Sequence, residues 1–348
     1  MSAVRVAIDG KCLLPPRTGV GRYVVGVLDG LAQVAPADLA VEVLTPSRPR
    51  RTLPWVMVDL QRASGRGFSV LHIPFYYGPL APRCPTVVVV HDLLALEHPE
   101  WFRPRRLHPI RLLLPRSARR AAAVVTFSRS VAAALEERLG IPGQRVRVIP
   151  HGVDRRIFRP PGSDEVAACW ARFHLARPYV LYLGPLEPRR GVDLALAAVA
   201  NVRGAVPGLE LVLVGGVRSP VAALAAAPAW VRRLGHVEDA ALPPLLAGAA
   251  AVLAPSRGEG FDLPVLEALA CGSVVVASDI APHREHFAEG VALFPSGDAE
   301  GLACLLRQVL EDGDRAAALR REGEAVAGRF SWAASARAHV ALWREVAG

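Results

Sequence analysis

The stretch AAVLAPSRGEGFDLPVLEALACGSVVVAS, residues 250–278, determines how the rest of the chain is interpreted. Its apolar ends, AAVLAP and SVVVAS, predict two buried strands. The segment between them predicts a helix, because Pro264 suits a first helical turn and Gly272 suits the position just after a helix. Strand, loop, helix and strand in this order are typical of a parallel α/β sheet. Ligands of such sheets bind at the carboxyl ends of the strands.

Two carboxylates accompany this helix. Glu259 lies in the loop before it and Glu267 in its first turns, with seven residues between them. A helix N-terminus attracts anions, and Gly260 lets the backbone approach a ligand closely. The pattern suits a ligand with hydroxyls at both ends and phosphate in the middle, such as a nucleotide sugar. The alternative is a Glu that stabilises the helix dipole and a loop Glu in solvent, and the spacing alone does not separate the two.

Near-continuous β-branched runs recur along the chain, as in strands buried on both faces of a parallel sheet. They fall at 4–9, 41–44, 70–73, 86–90, 123–127, 146–150, 179–184, 209–216, 250–255, 273–278 and 291–294. The pattern breaks at the irregular segment HGVDRRIFRPPGSD. We therefore predict two doubly wound, Rossmann-like α/β domains, 1–160 and 161–330, that face each other across a cleft. A helix over 331–348, with Ser331 as its N-cap, is expected to pack back on the first domain.

Composition limits the class of protein. The 348 residues carry a formal charge of +9, almost all of it from arginine because Lys11 is the only lysine. The five cysteines are scattered without metal-ligand spacing, which indicates a reducing compartment. No signal peptide pattern opens the chain, and no apolar run reaches the ~18 residues of a membrane span. We expect a cytoplasmic protein, and attachment to a membrane surface stays open.

Two further loops carry groups suited to phosphate. In YLGPLEPRRGVD (182–193), Arg189 and Arg190 suit a diphosphate leaving group. The alternative is a pair of solvated arginines at a helix start, where positive charge is mildly unfavourable. In PPRTGVGRY (15–23), Gly19 and Gly21 open the first helix at an anion-attracting end, although a simple tight turn explains them equally well. The chain lacks G-x-G-x-x-G here, which disfavours nicotinamide binding.

Two segments near residue 100 are less specific. His91 and Asp92 stand at the end of a buried strand, where a lone His is more often structural than catalytic. The basic, partly apolar segment 103–122 follows them. It fits a helix resting on an anionic membrane, and it also fits a packed helix with a solvated arginine face. Its three prolines predict short helical pieces rather than one rod.

The segment EGFDLPVLEALACGSVVVAS closely resembles the E-x7-E signature of retaining family-four glycosyltransferases with the GT-B fold, which usually reads EGFGLPxxEAMACGxPVVAS. The resemblance implies that Glu259, Phe261, Asp262 and Leu263 contact the donor sugar and that Glu267 binds the ribose hydroxyls. Asp262 replaces the commoner Gly, which reaches backbone angles that Asp adopts less readily.

Other segments resemble the same family in the same order along the chain. LGPLEPRRG is similar to the G-T-x-E-P-R-K-N pattern of the mannosyltransferase-like branch, with Arg189 at the family Arg and Arg190 where Lys is usual. GVGRY is similar to GIGRY, which implies that Gly19 and Gly21 lie near the donor phosphates. The VHDL…HPE match implies that His91 lies beside the transferred sugar. LGHVED resembles the segment that lines the nucleobase pocket, with Val237 as our candidate there.

These observations predict a retaining glycosyltransferase that moves a hexose from a nucleotide diphosphate sugar to an unknown hydroxyl acceptor. The EPRR segment favours GDP-mannose, and UDP-glucose or another UDP-hexose is the alternative. We expect no metal and no cofactor, because the sequence has no cluster of residues with metal-ligand spacing. Competing hypotheses are a nucleotide-sugar 2-epimerase of the same fold and an inactive sugar-nucleotide-binding partner. Nucleic-acid binding rests on charge alone, without a recognition motif, and is not expected.

Overall fold

The computed structural model describes residues 3–15, 18–46, 51–175, 178–219, 221–225 and 227–348, without the side chains of residues 105 and 106. Residues 16 and 17 of the predicted glycine loop therefore lie outside the described residues, as do two side chains of the basic segment. The chain divides into two compact units. One comprises Met1–Gly152 with Phe330–Gly348, and the other comprises Val153–Arg329. The division after Gly152 lies a few residues before the predicted boundary at 160.

The N-terminal unit contains a parallel sheet of six strands among the described residues, in the order β2-β1-β3-β4-β5-β6. The strands are β1 Val4–Asp9, β2 Leu39–Leu44, β3 Val70–Ile73, β4 Thr86–Val89, β5 Ala123–Thr126 and β6 Val146–Val148. The helices are α1 Gly19–Val34, α2 Thr52–Pro54, α3 Gln61–Ala63, α4 Leu94–Glu97, α5 Pro104–Arg120 and α6 Arg129–Leu139, with a π-helical turn Trp55–Leu60 and 3₁₀ turns Lys11–Leu13, Pro99–Trp101 and Gly143–Arg145. The central strands are buried on both faces, as their continuous β-branched runs predict.

The C-terminal unit repeats this architecture, with the described strands in the order β12-β11-β10-β7-β8-β9. They are β7 Tyr179–Leu183, β8 Glu210–Val214, β9 Val231–Gly235, β10 Ala251–Ala254, β11 Val275–Asp279 and β12 Ala292–Pro295. The helices are α7 Ser163–Phe173, α8 Val192–Val202, α9 Leu242–Ala247, α10 Leu263–Ala270, α11 Ala281–Phe287, α12 Ala299–Glu311 and α13 Gly313–Gly328, with 3₁₀ turns Pro188–Arg190, Ala222–Leu224 and Asp239–Ala241. All pairings are parallel, so the predicted doubly wound α/β class is confirmed.

The last helix, α14 (Trp332–Ala347), packs on α1 of the N-terminal unit. Ser331 caps it by accepting a hydrogen bond from the Ala334 amide at 3.1 Å, as predicted. Two glycines of α1 permit the close approach. A Cβ at Gly26 would lie 2.1 Å from the Trp332 ring, and a Cβ at Gly30 would lie 2.2 Å from the Trp332 carbonyl oxygen. Small residues at this interface therefore let the two helices meet.

A buried hydrogen-bonded chain joins α14 to the sheet and to α1. The Trp343 indole donates to His72 Nδ1 at 3.3 Å, so His72 carries its proton on Nε2 and donates to the Tyr23 oxygen at 2.9 Å. The Tyr23 hydroxyl then donates to His339 Nε2 at 2.8 Å, and His339 Nδ1 donates to the Ser335 carbonyl at 2.8 Å. Every partner is satisfied only when both imidazoles are neutral. Burial favours this state because it lowers the pKa of both histidines, that of His339 to about 4.

The prediction of short helical pieces over 103–122 is wrong. Helix α5 is continuous from Pro104 to Arg120, with Pro109 and Pro115 inside it. Each internal proline removes a hydrogen bond, and burial of the apolar face offsets that loss. The buried side chains are Leu107, Ile110, Leu113, Leu114 and Ala118. Of the two interpretations of this segment, the packed helix with a solvated arginine face therefore fits the described residues. Leu112 is the large apolar side chain of α5 that stays exposed.

Candidate active site of the C-terminal unit

The strand order of the C-terminal sheet reverses between β7 and β10, so the loops after these strands diverge and leave a crevice at their carboxyl ends. Two contacts hold the loops together. Gly191 has φ +66°, and a Cβ there would lie 1.9 Å from the Pro255 carbonyl oxygen. The Arg257 amide donates to the Arg189 carbonyl at 2.8 Å, and the Arg257 guanidinium pairs with Asp193 at 2.6 Å. Side chains from two distant segments are thereby fixed beside each other.

Both predicted arginines lie in this crevice together with Glu259. Arg190 Nη1 is 3.0 Å from Glu259 Oε1, and Arg189 Nη1 is 3.6 Å from Glu259 Oε2. Glu187 was not singled out from the sequence, although it stands in the quoted EPRR segment, and its Oε1 is 2.7 Å from Arg189 Nε. The Glu259 side chain is 7% exposed. The loops thus enclose an ion-pair network in which the arginines keep a buried carboxylate in place.

Asp262 completes the network from the start of α10. Its Oδ1 is 2.9 Å from Arg190 Nη1, and its Oδ2 is 3.1 Å from His283 Nε2. His283 lies in α11, is fully buried, and donates from Nδ1 to the Ser278 carbonyl at 2.8 Å. Sequence analysis missed His283, because a histidine in a short helix carries no pattern that points to a partner 21 residues earlier. The network therefore extends from β11 to the loop after β7.

Two carboxylates of the network, Glu259 and Asp262, have opposite protonation tendencies. Burial raises the pKa of Glu259 above its usual range, and this effect outweighs the opposing influence of Arg190. Burial also favours the neutral form of Asp262, but the Arg190 guanidinium and the hydrogen bond from His283 hold the pKa of Asp262 below its usual range. Asp262 is thus a permanent anion at neutral pH, whereas Glu259 is the more readily protonated group.

Helix α10 begins at Leu263 with Pro264 in its first turn, and Gly272 follows it with φ +73°, so these three predictions are confirmed. The Phe261 side chain is buried against the rings of His286 and Phe287, with ring centroids 4.8 and 5.4 Å away. Any contact of this residue with a sugar must therefore come from its backbone.

The two remaining candidates of this unit, Glu267 and Val237, are both buried. Glu267 is buried inside α10, with 5% of its surface exposed. Val237 is buried in the segment after the edge strand β9, two strands away from β7.

The candidates of the N-terminal unit lie at the corresponding edge of their own sheet. Helix α1 begins at Gly19, where a Cβ would meet nothing within 4 Å, and Gly21 is buried within its first turn. His91 follows β4, and its Nε2 is 2.9 Å from the Pro74 carbonyl, so that nitrogen carries a proton. The His91 ring packs on Phe127 at 4.9 Å between centroids, and burial lowers the pKa of His91.

Two negative observations apply to the described residues. In the ranges the structure describes, no group of three or more His, Cys, Asp or Glu side chains is placed to hold a metal ion. None of the helices in the described part of the chain is long and apolar enough to cross a bilayer.

Two doubly wound parallel units, with charged loops at the switch point of the second, define the GT-B class of fold. The comparisons agree. Residues 17–156 match the family model Glycosyltransferase Family 4, and residues 177–312 match the model Glycosyl transferases group 1. The chain belongs to the glycosyltransferases, with one such domain in each unit.

Relatives and solved structures extend this result. The D-inositol 3-phosphate glycosyltransferase of Segniliparus rotundus is 32% identical over 212 residues, which are 58% of this chain and 47% of that protein. This chain thus spans about half the length of that relative. The O-antigen chain mannosyltransferase B of Escherichia coli is 25% identical over 320 residues, 87% of this chain and 79% of that protein. The structure of Anabaena Alr3699/HepE in complex with UDP-glucose has a TM-score of 0.77 at 19% identity, covering 97% of this chain and 99% of that one.

Proposed function

We propose that this protein transfers a hexose from a nucleotide diphosphate sugar to a hydroxyl acceptor with retention of configuration. The observation that carries the proposal is the pairing of Glu259 with Arg189 and Arg190 at the switch point of the C-terminal sheet. A carboxylate that can accept sugar hydroxyls stands there next to two guanidiniums that can hold a diphosphate. Helix α10 begins a few residues away at Leu263, and a helix N-terminus attracts anions.

The mechanism that we propose is a front-face displacement. The acceptor oxygen attacks the anomeric carbon on the face from which the diphosphate leaves, and a leaving phosphate oxygen takes the acceptor proton. Arg189, Arg190 and the amides near Leu263 stabilise the negative charge of the departing diphosphate. Glu259 orients the sugar through its hydroxyls, and Glu267 binds the ribose. His91 stays a predicted contact of the transferred sugar, and Gly19, Gly21 and Val237 stay predicted contacts of the donor nucleotide.

The donor that we favour is GDP-mannose. The EPRR segment and the similarity to O-antigen chain mannosyltransferase B support mannose. The likeness to a protein that binds UDP-glucose supports a UDP-hexose as the second candidate. The acceptor is a hydroxyl on a glycan, a lipid or a natural product. We propose that the reaction needs no divalent cation, because two arginines and a helix N-terminus supply positive charge where the diphosphate departs.

One assay separates the candidate functions. Purified protein is incubated with GDP-mannose or UDP-glucose, with and without a mixture of hydroxyl acceptors and in the presence of EDTA. The proposal expects release of GDP from GDP-mannose that rises with acceptor, and retention of the anomeric configuration in the product. An epimerase releases UDP and alters the sugar without any acceptor. A binding partner is stabilised by the donor without turning it over. Either of the last two results would refute the proposed function.

A further inference from the structure

Asp262 occupies its position at a conformational cost. It is the N-cap of α10 with φ +85° and ψ 73°, in the left-handed region that favours glycine. An Asp at this position usually accepts a hydrogen bond from the first helical turn, but the Asp262 side chain makes no such cap. Backbone strain that is not compensated by capping persists where other contacts hold the residue, and such residues cluster at functional sites.

Those other contacts involve both carboxylate oxygens of Asp262. Oδ1 faces Arg190 at 2.9 Å and Oδ2 faces His283 at 3.1 Å, while the side chain is 1% exposed. Charge-assisted hydrogen bonds of this kind are short, directional and strong when water is excluded. The side chain of Asp262 is thus directed away from its own helix and towards the arginine of a different loop.

His283 is itself fixed on its far side. Its Nδ1 lies 2.8 Å from the Ser278 carbonyl, which can only accept a hydrogen bond. Nδ1 therefore carries a proton. The contact between Nε2 and the Asp262 carboxylate then requires a second proton between these two groups. Hydrogen bonds consequently join the Ser278 carbonyl, His283, Asp262 and Arg190 in one chain, which we call the relay. An ion pair connects this relay to Glu259, because Arg190 Nη1 lies 3.0 Å from Glu259 Oε1.

We propose that Asp262 and His283 are positioning residues that act on Glu259 through Arg190. Asp262 takes part of the hydrogen-bonding capacity of the Arg190 guanidinium and fixes its plane, so Glu259 is held without being fully neutralised. This inference rests on the proposed function, since it treats Glu259 as the carboxylate that orients the sugar. It also explains why Asp stands at position 262, where Gly is common in the family signature.

Single and double variants test the relay kinetically. In H283A and in D262G, kcat should fall on the order of 10- to 100-fold with a much smaller rise in the donor KM, because the sugar carboxylate is misplaced while Arg189 and the N-terminus of α10 still hold the diphosphate. D262G relieves the backbone strain at φ +85° but leaves the buried Arg190 and His283 without their partner, so its unfolding temperature does not decide the test. A merely structural role predicts that kcat and the donor KM are impaired to the same degree. The H283A/D262G double variant should be no slower than the slower single variant.

Two controls sharpen the test. R284A removes the neighbouring, exposed arginine of α11, which pairs with Asp279, and should leave kcat and KM unchanged. H283Q keeps an amide that can donate to Asp262 and should recover part of the lost rate. Multiplicative losses in the double variant, or equal losses in R284A, would overturn the relay.

Crystal structures of H283A and R284A distinguish failure of the relay from failure of the proposed function. The relay predicts that the Arg190 guanidinium and the Glu259 carboxylate leave their parent positions in H283A and keep them in R284A. If the parent protein transfers no sugar while Glu259 moves in H283A, the function is wrong and the relay stands. If the parent protein transfers sugar while H283A keeps both the rate and the Glu259 position, the relay is wrong and the function stands.

Discussion

Glu259 illustrates why a single buried carboxylate can be informative. Burial alone would neutralise it, and two guanidiniums from another loop oppose that tendency. A group balanced in this way can accept hydrogen bonds from hydroxyls without losing its place in the fold. The three-residue set of Glu259, Arg189 and Arg190 is therefore the part of the site on which the proposed chemistry depends.

The first test removes members of that set. E259A should lower kcat roughly 100- to 1,000-fold, the range seen when one group that stabilises a transition state is deleted. R189A should lower kcat to a similar degree and also weaken GDP binding, because it removes positive charge from the diphosphate. Steady-state kinetics on GDP-mannose provide the measurement. Normal transfer rates in both variants would show that the site lies elsewhere.

A second test separates binding from turnover. Glu267 is proposed to accept hydrogen bonds from ribose, and each hydrogen bond to a charged group contributes about 1.5–3 kcal/mol. E267A should therefore weaken GDP binding by roughly 10- to 100-fold, measured by calorimetry. E259A should change GDP affinity far less, since GDP has no hexose. Equal affinity of E267A and the parent protein would remove Glu267 from the nucleotide site.

At this scale the sequence identifies candidate residues that belong to a pattern. Glu259, Glu267 and the two arginines follow from their spacing and from the ends of strands. His283 does not, because its partner Asp262 is brought near only by the folded chain. Glu187 was not singled out either, although its partner Arg189 lies two residues later. The backbone angle of Asp262 was foreseen as unusual for Asp, but the two partners that hold it there were not.

At the scale of structural elements, Gly191 sets the distance between the loops after β7 and β10. G191A should destabilise the protein by about 1–3 kcal/mol more than G208A, since an added methyl would overlap the Pro255 carbonyl. Gly208 is a matched control with φ +79° and nothing within 4 Å of its Cβ position. Urea unfolding of both variants gives the comparison. Equal free energies of unfolding would mean that the loops can separate freely.

The chain of hydrogen bonds that anchors α14 predicts an acid-sensitive element. His339 has a pKa of about 4 in the folded protein against an ordinary value of 6.5, so below pH 6.5 the unfolded state binds a proton that the folded state does not. The contribution of neutral His339 to the free energy of unfolding is fully present above pH 6.5 and is lost as the pH falls towards 4. Between pH 7.5 and 5 the loss from His339 should be about 2 kcal/mol.

Urea midpoints at several pH values test this prediction. H339Q should flatten the acid-side decline, whereas H108Q, which replaces an exposed histidine of α5, should leave the decline as steep as in the parent protein. If H339Q and H108Q gave the same pH dependence as the parent, the neutral state of His339 would contribute nothing to the docking of α14.

Elements were predictable where their burial is uniform. The run at 70–73 predicts β3 to the residue, because a strand covered on both faces is apolar throughout. The edge strand β9 was missed because it reads VRRLG, and its Arg232 donates to the carbonyls of Phe173 and His174 instead of entering a core. Helix α5 was misjudged because tertiary burial outweighed two prolines, an effect that local sequence does not reveal.

At the scale of the molecule, the proposed diphosphate and ribose contacts Arg189, Arg190 and Glu267 all belong to the unit Val153–Arg329. Saturating GDP at 100 times its Kd should stabilise that unit by about 2.7 kcal/mol. Hydrogen–deuterium exchange should show the protection over 182–193 and 255–270. Protection confined to the other unit would contradict the assignment of the donor nucleotide to this half of the chain.

The packing of α14 on α1 also has a consequence for biosynthesis. The unit Val153–Arg329 is one uninterrupted segment, whereas its neighbour is assembled from residues before Val153 and after Arg329. On the ribosome, Gly26 and Gly30 emerge more than 300 residues before the tryptophan that covers them. The unit whose first part is translated earlier is therefore the unit that is completed later, and the surface lined by Gly26 and Gly30 stays uncovered until α14 has been translated.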